Sequence, residues 1–159
     1  MAEATTLIDQ GLVQQLSGRY AAAAANQQQA LALFSDLGNL LGQAEAHNNL
    51  GQLAIRTANT PQARTHHARA LAIARDISAP LEEARALEGI GHSHLHDGNP
   101  GQAAEYLRQA LAIYQRIGAP ATQRVQETLQ RHRLPSTTPG PQPAAPGSED
   151  IDRAYPPHP

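Results

Sequence analysis

The densest set of side chains able to do chemistry is His92, His94 and His96, followed directly by Asp97. On a helix His92 and His96 fall one turn apart on one face, a spacing at which two imidazoles can share a Zn²⁺ or Ni²⁺ ion, while His94 points elsewhere. Two ligands make a weak site, and the glutamate of an H-E-x-x-H zinc hydrolase is missing. We therefore assign no metal site and no cofactor. His66-His67 is a poorer candidate still. Arg56 and Arg85 offer a different chemistry, because a guanidinium grips a carboxylate through two parallel hydrogen bonds. The competing reading is that both are solvated or paired with Glu45 and Glu88.

Composition closes several other routes. The 159 residues include no cysteine, which removes disulfides, thiolate metal sites and thiol nucleophiles. All twelve Lys and Arg residues are Arg, so neither a phosphate-binding loop of the G-x-x-x-x-G-K-[ST] kind nor a Schiff-base lysine is available. There is no G-x-S-x-G, and Glu82, Glu83 and Glu105 read as a solvated face and helix-start charges. The expectation is a protein that is not an enzyme. A net charge of −2 gives no broad attraction to nucleic acid or to an anionic membrane. Met1 to Gln10 lacks the basic start and apolar run of a secretory signal, and no transmembrane stretch follows. A cytoplasmic location is the default expectation.

The elements that must position these residues come from a repeat. The stretch Leu81 to Pro120 recurs forty residues earlier at Leu41 to Pro80, and Gly11, Gly51 and Gly91 share one register. So do Ala23, Ala63 and Ala103, then Ala30-Leu31, Ala70-Leu71 and Ala110-Leu111. Within the last unit Ala84, Leu87, Ile90, Gly91 and Leu95 form the apolar stripe of a first helix. Asp97 to Pro100 stop it, and a second helix buries Ala103, Leu107, Ala110, Leu111, Ile113, Tyr114 and Ile117. Gly91 and Ala103 are placed where the two antiparallel helices cross. Three such units, with helices at about 3–16, 20–37, 41–57 and 61–77 in the first two, form a stacked array with one core.

The residues Ile90-Gly91, Ala103 and Ala110-Leu111, with Leu50-Gly51, Ala63 and Ala70-Leu71, resemble the tetratricopeptide repeat. Gln10 stands where the first repeat should carry an aliphatic residue. The usual period of that family is 34 residues; the forty seen here resemble the long-period arrays attached to actinobacterial transcription regulators and signalling ATPases. The resemblance implies an all-α, right-handed superhelix of three helix-turn-helix units over residues 1–134 (repeats at about 1–40, 41–80 and 81–120). A capping helix, about 121–134, carries Val125 and Leu129 on its buried side and a polar outer face. The segment 135–159 reads as a disordered proline-rich tail.

In such a superhelix the unpacked residues of each first helix face a concave groove. By register these are Thr5, Ile8, Leu12 and Leu16, then Glu45, Asn48, Gln52 and Arg56, then Arg85, Glu88, His92 and His96. The expected function is a non-catalytic scaffold, regulatory or assembling, that binds a protein or peptide partner there without direct nucleic acid or membrane contact, and with a homodimer possible through the first repeat. The alternative is a small-molecule or metal sensor around Arg85, His92 and His96.

Overall fold

A left-handed backbone residue recurs every twenty positions, at Gly18, Gly38, Ala58, Ser78, Gly98 and Gly118, with φ between 55° and 75°. The computed structural model of the chain describes residues 1–134, and each of these six residues lies just past the end of one of its helices. The amide that follows bonds back to the carbonyl five positions earlier, as from Arg19 to Gln14, Asn59 to Ala54 and Ala119 to Tyr114, at 2.8–2.9 Å. This satisfies carbonyls that a helix end leaves bare, and it requires the left-handed conformation. Glycine adopts that conformation freely, whereas Ala58 and Ser78 carry a Cβ that crowds the next carbonyl.

The helices so delimited are α1 (Ala2–Leu16), α2 (Tyr20–Asp36), α3 (Leu40–Arg56), α4 (Thr60–Asp76), α5 (Pro80–His96), α6 (Pro100–Ile117) and α7 (Ala121–Arg131). Pro61, Pro80 and Pro100 occupy first turns, where an amide would have no helical partner. The Asn39 and Asn59 side chains accept from the amides of Gly42 and Gln62 at 3.0 and 3.3 Å, capping α3 and α4. The segment expected to be a tail, 135–159, lies outside the described residues.

Each helix packs on the next in sequence, and α1 also touches α3 while α3 touches α5. No comparable contact joins α2, α4 and α6. The first helices of the pairs therefore lie on the inside of a curved stack. The result is an all-α repeat solenoid with no strand among the described residues. Val125 and Leu129 of α7 are fully buried against the last pair, so this helix closes that end. At the other end Thr6, Gln10 and Val13 of α1 are exposed, at positions equivalent to the buried Ala46, Leu50 and Leu53 of α3. This explains why Gln10 departs from the aliphatic pattern: nothing among the described residues packs on that face.

The core is not one continuous apolar body, as length and composition suggest. One cluster joins Leu87, Leu107, Leu111 and Tyr114 to α7, and a smaller one joins Ile8, Phe34 and Ala46. Ile117, expected on the buried side, is 38 % exposed at the last turn of α6. The crossing expected at Gly91 is present: a Cβ built there would lie 2.8 Å from Leu107 Cγ and 3.3 Å from the Ala103 carbonyl oxygen.

Two substitutions test this construction by urea denaturation. Ala58→Gly should raise stability by about 0.5–1 kcal/mol, because it relieves a left-handed alanine at the cost of a freer unfolded chain. Gly91→Leu should overpack the crossing and lower stability by about 1–3 kcal/mol. A Gly91→Leu midpoint equal to the parent's would rule out the close approach of α5 and α6.

Candidate functional site

The joints between the repeats are filled by polar side chains. Gln27 of α2 donates from Nε2 to the Ile8 carbonyl of α1 at 3.3 Å, and its Oε1 accepts from Asn49 of α3 at 3.4 Å. Asn49 Oδ1 accepts from Arg85 Nη2 of α5 at 2.8 Å, and Arg85 Nη1 reaches both carboxylate oxygens of Glu82 at 3.0 Å. Asn48 donates to the Glu82 carboxylate at 2.8 Å and to its carbonyl at 3.1 Å. That leaves Asn48 Oδ1 to accept from His67 Nδ1 of α4 at 3.0 Å. Five helices are thus joined by one line of hydrogen bonds, and Gln27, Asn48, Asn49, His67 and Glu82 are all buried. Glu82, read from the sequence as a solvated charge, instead sits at the centre of this seam, because Asn48 and Arg85 supply the donors that its burial demands.

His67 has the tightest surroundings. Its ring is wedged between Gly51 and Gly89, where a Cβ on either glycine would collide with it. With Nδ1–H donating to Asn48, Nε2 is bare, buried and without a partner. Burial, reinforced by the charge of Arg85, lowers its pKa to about 3. The neighbouring His66 turns away to His47, with the two Nδ1 atoms 3.1 Å apart.

A second anchor lies toward α7. Buried Glu88 accepts from the Tyr114 hydroxyl at 2.9 Å and from Arg124 Nε and Nη2 at 3.0 and 2.8 Å, with His92 Nε2 at 3.5 Å. Burial pushes the Glu88 carboxyl up, but the hydrogen bonds from His92, Arg124 and Tyr114 and the charge of Arg124 outweigh it and hold the pKa at about 2. Burial and the Glu88 charge push the Tyr114 hydroxyl well above its ordinary range.

Above these anchors an open groove of about 750 Å³ runs along the inner side of the stack. Of the residues expected there, Gln52, Arg56, Arg85, Glu88, His92 and His96 line it, together with Leu12. Glu45 and Asn48 do not. Asn48 is turned inward to the seam, and Glu45 is partly buried, its pKa raised by burial and by the Glu82 charge. Ile8 is in the core, and Leu16 is 84 % exposed without lining the groove. Sequence reasoning missed Gln15, Asn49, Ile55, Arg124 and His132, and it placed Leu95 in the apolar stripe of its helix instead. Asn49 was within reach, since it stands four residues after Glu45 just as Asn48 stands three. Arg124 belongs to the polar face that the sequence turns to the outside of the cap, yet α7 follows α6 as each first helix follows a second one, so one side of it borders the groove.

The cluster from His92 to Asp97 disperses. His92 approaches Glu88, His94 stacks on Tyr106 with ring centroids 5.5 Å apart, and Asp97 accepts from Thr60 at 2.6 Å and pairs with Arg64. The pairing expected between Arg85 and Glu88 is replaced by Arg85 with Glu82 and Arg124 with Glu88. Among the described residues no three His, Asp or Glu side chains converge where a metal ion could sit, and no helix is long and apolar enough to cross a membrane.

A family model described as tetratricopeptide repeat matches residues 2–76 and, again, residues 42–116. No curated protein matches the chain.

Leu107 occupies the position of His67 one unit later, which makes His67→Leu the natural probe of the seam. The unfolded chain takes up a proton near pH 6.5 that folded His67 refuses down to about pH 3, so its contribution to stability falls as pH drops through that window. Between pH 7.5 and pH 5 this one group costs about 2 kcal/mol. His67→Leu should therefore gain about 2 kcal/mol on the parent over that interval in paired urea titrations. Parallel pH profiles for the two proteins would show that His67 is not held neutral.

Proposed function

The chain belongs to the tetratricopeptide repeat family, and from that premise we propose that its groove holds a segment of a protein partner in which acidic and aliphatic side chains are combined. Repeats of this family generally mediate protein–protein interaction. The observation that carries the finer reading is a one-sided lining. Arg56, Arg85, Arg124, His92, His96 and His132 face the groove, and Glu88 is the single carboxylate among its lining residues, in a chain whose net charge is −2.

Glu82 and Glu88 offset the formal charges of Arg85 and Arg124, but a guanidinium has five N–H groups and neither arginine uses all of them in the contacts described. Arg56 has no ion-pair or hydrogen-bond partner among the described residues. Leu12, Ile55 and Leu95 supply apolar contact between these donors. Such a surface rewards carboxylates and backbone carbonyls that alternate with aliphatic groups. In this reading the chain is a long-period member with forty-residue units and works as a regulatory or assembly module, with Gln52, Arg56, Arg85, Glu88, His92 and His96 as its partner-binding set.

Selection of random 12-residue peptides on the immobilised full chain tests the proposal. Enriched sequences should combine Asp or Glu with Leu, Ile or Val. Arg56→Glu should weaken the selected peptides by about tenfold, the worth of one charge-assisted hydrogen bond. Enrichment of basic or purely apolar sequences, or of peptides indifferent to Arg56→Glu, would sink it.

A further inference from the structure

The groove opens beside the point where the chain leaves the described fold. His132 lines it, and Leu134, buried against the last helix pair, is the final described residue. The 25 residues beyond contain one acidic cluster, Glu149, Asp150 and Asp152 around Ile151, with Arg153 after it. No other Asp or Glu occurs between Leu134 and Pro159. This is the combination of carboxylates and an aliphatic side chain that the groove's donors and its Leu12, Ile55 and Leu95 contacts suit.

We propose that Glu149–Asp152 of the same chain occupies the groove and that a protein partner must displace it. The inference rests on the reading of the groove given above and names its resident occupant. Reach is sufficient. Fourteen residues separate Leu134 from Glu149, and the fifteen steps from one to the other span up to about 50 Å when extended. The row α1, α3, α5 and α7, at about 10 Å between axes, is about 30 Å across. Affinity is also sufficient, because a tether sets a local concentration in the millimolar range. A segment that binds with Kd of about 1 mM when free is then about half docked when tethered. Arg56, without a partner among the described residues, supplies the attraction that distinguishes this occupant from a neutral one, and added salt screens it.

The absence of cysteine makes the test direct, since Ser148→Cys gives the full chain a single thiol for a nitroxide label. Methyl signals of Leu12, Ile55 and Leu95 should lose at least half their intensity, while those of the exposed Leu37 and Leu41 keep theirs. Glu149→Gln with Asp150→Asn and Asp152→Asn should restore the lost intensity, as should Arg56→Glu or 0.5 M salt. Mixing labelled chains with unlabelled, isotope-enriched ones separates docking within a chain from docking between chains. Attenuation confined to the mixed sample overturns the proposal. So does its absence in the full chain when acidic 12-residue peptides still shift the groove methyls, an outcome that leaves the groove reading standing. If neither the tether nor those peptides perturb the groove, both inferences fall together.

Discussion

Satisfaction of the buried Glu82 carboxylate is the constraint on which the middle of the solenoid depends. A carboxylate removed from water is tolerated where donors converge on it, and its donors come from two helices: Asn48 from α3 and Arg85 from its own α5. Asn48 can serve Glu82 only with its amide nitrogen turned that way, which presents its oxygen to His67 on α4. Arg85 can serve it only by passing Asn49, which is in turn oriented by Gln27 on α2. Apolar surfaces slide past one another at modest cost. A line of hydrogen bonds whose members sit on different helices does not, because one step of register strands several buried polar atoms at about 1–3 kcal/mol each.

The glycines show how the same crossing accepts different chemistry. Gly11 faces Gln27, Gly51 faces His67 and Gly91 faces Leu107, so one column of the repeat reads amide, imidazole, isobutyl. In the third unit the crossing is purely apolar and merges with the cluster that α7 covers. In the first two it is polar, and the side chain reaches through to the neighbouring helix as well as filling the gap. Gly89 extends the logic: it adds a second open wall so that the imidazole of His67 lies between α3 and α5 and packs against both pairs.

What could be read in advance follows from how local each signal is. Helix ends were legible wherever Gly or Pro marks them, since those residues act on their own backbone. The turns at Ala58 and Ser78 were located by the period and by Pro61 and Pro80 just after them, because neither residue itself advertises a left-handed conformation. The cap was legible through Val125 and Leu129, four apart on an otherwise polar helix. The seam was not, because a rule that sends polar residues to solvent misplaces Glu82 and His67. A trace of it lay in the column holding Gln27, His67 and Leu107, where two polar residues occupy a position that a buried leucine also fills. The groove was partly legible because helical spacing selects a face. Spacing alone could not choose between Asn48 and Asn49, which are equally buried; the turn of Asn48 toward Glu82 and His67 keeps it out of the groove, while Asn49 holds the groove-lining Arg85.

The seam and the groove are two sides of one arrangement. Arg85 is held from beneath by Glu82 and Asn49, and Arg124 by Glu88, which is itself held by Tyr114. In the proposed reading both guanidiniums would meet a ligand already oriented, and ordering them would cost little of the side-chain entropy that binding ordinarily consumes. Arg56 is the reverse case: exposed and without a partner among the described residues, it keeps its full charge and its freedom. The division follows from the buried acids, since Arg124 is itself exposed and differs from Arg56 in being paired to Glu88. Paired arginines over buried acids give directional hydrogen bonds that salt disturbs little, whereas an exposed cation gives attraction at a distance that salt removes. On the proposed reading a partner that needs both would arrive by charge and stay by geometry, and those two properties reside on different side chains.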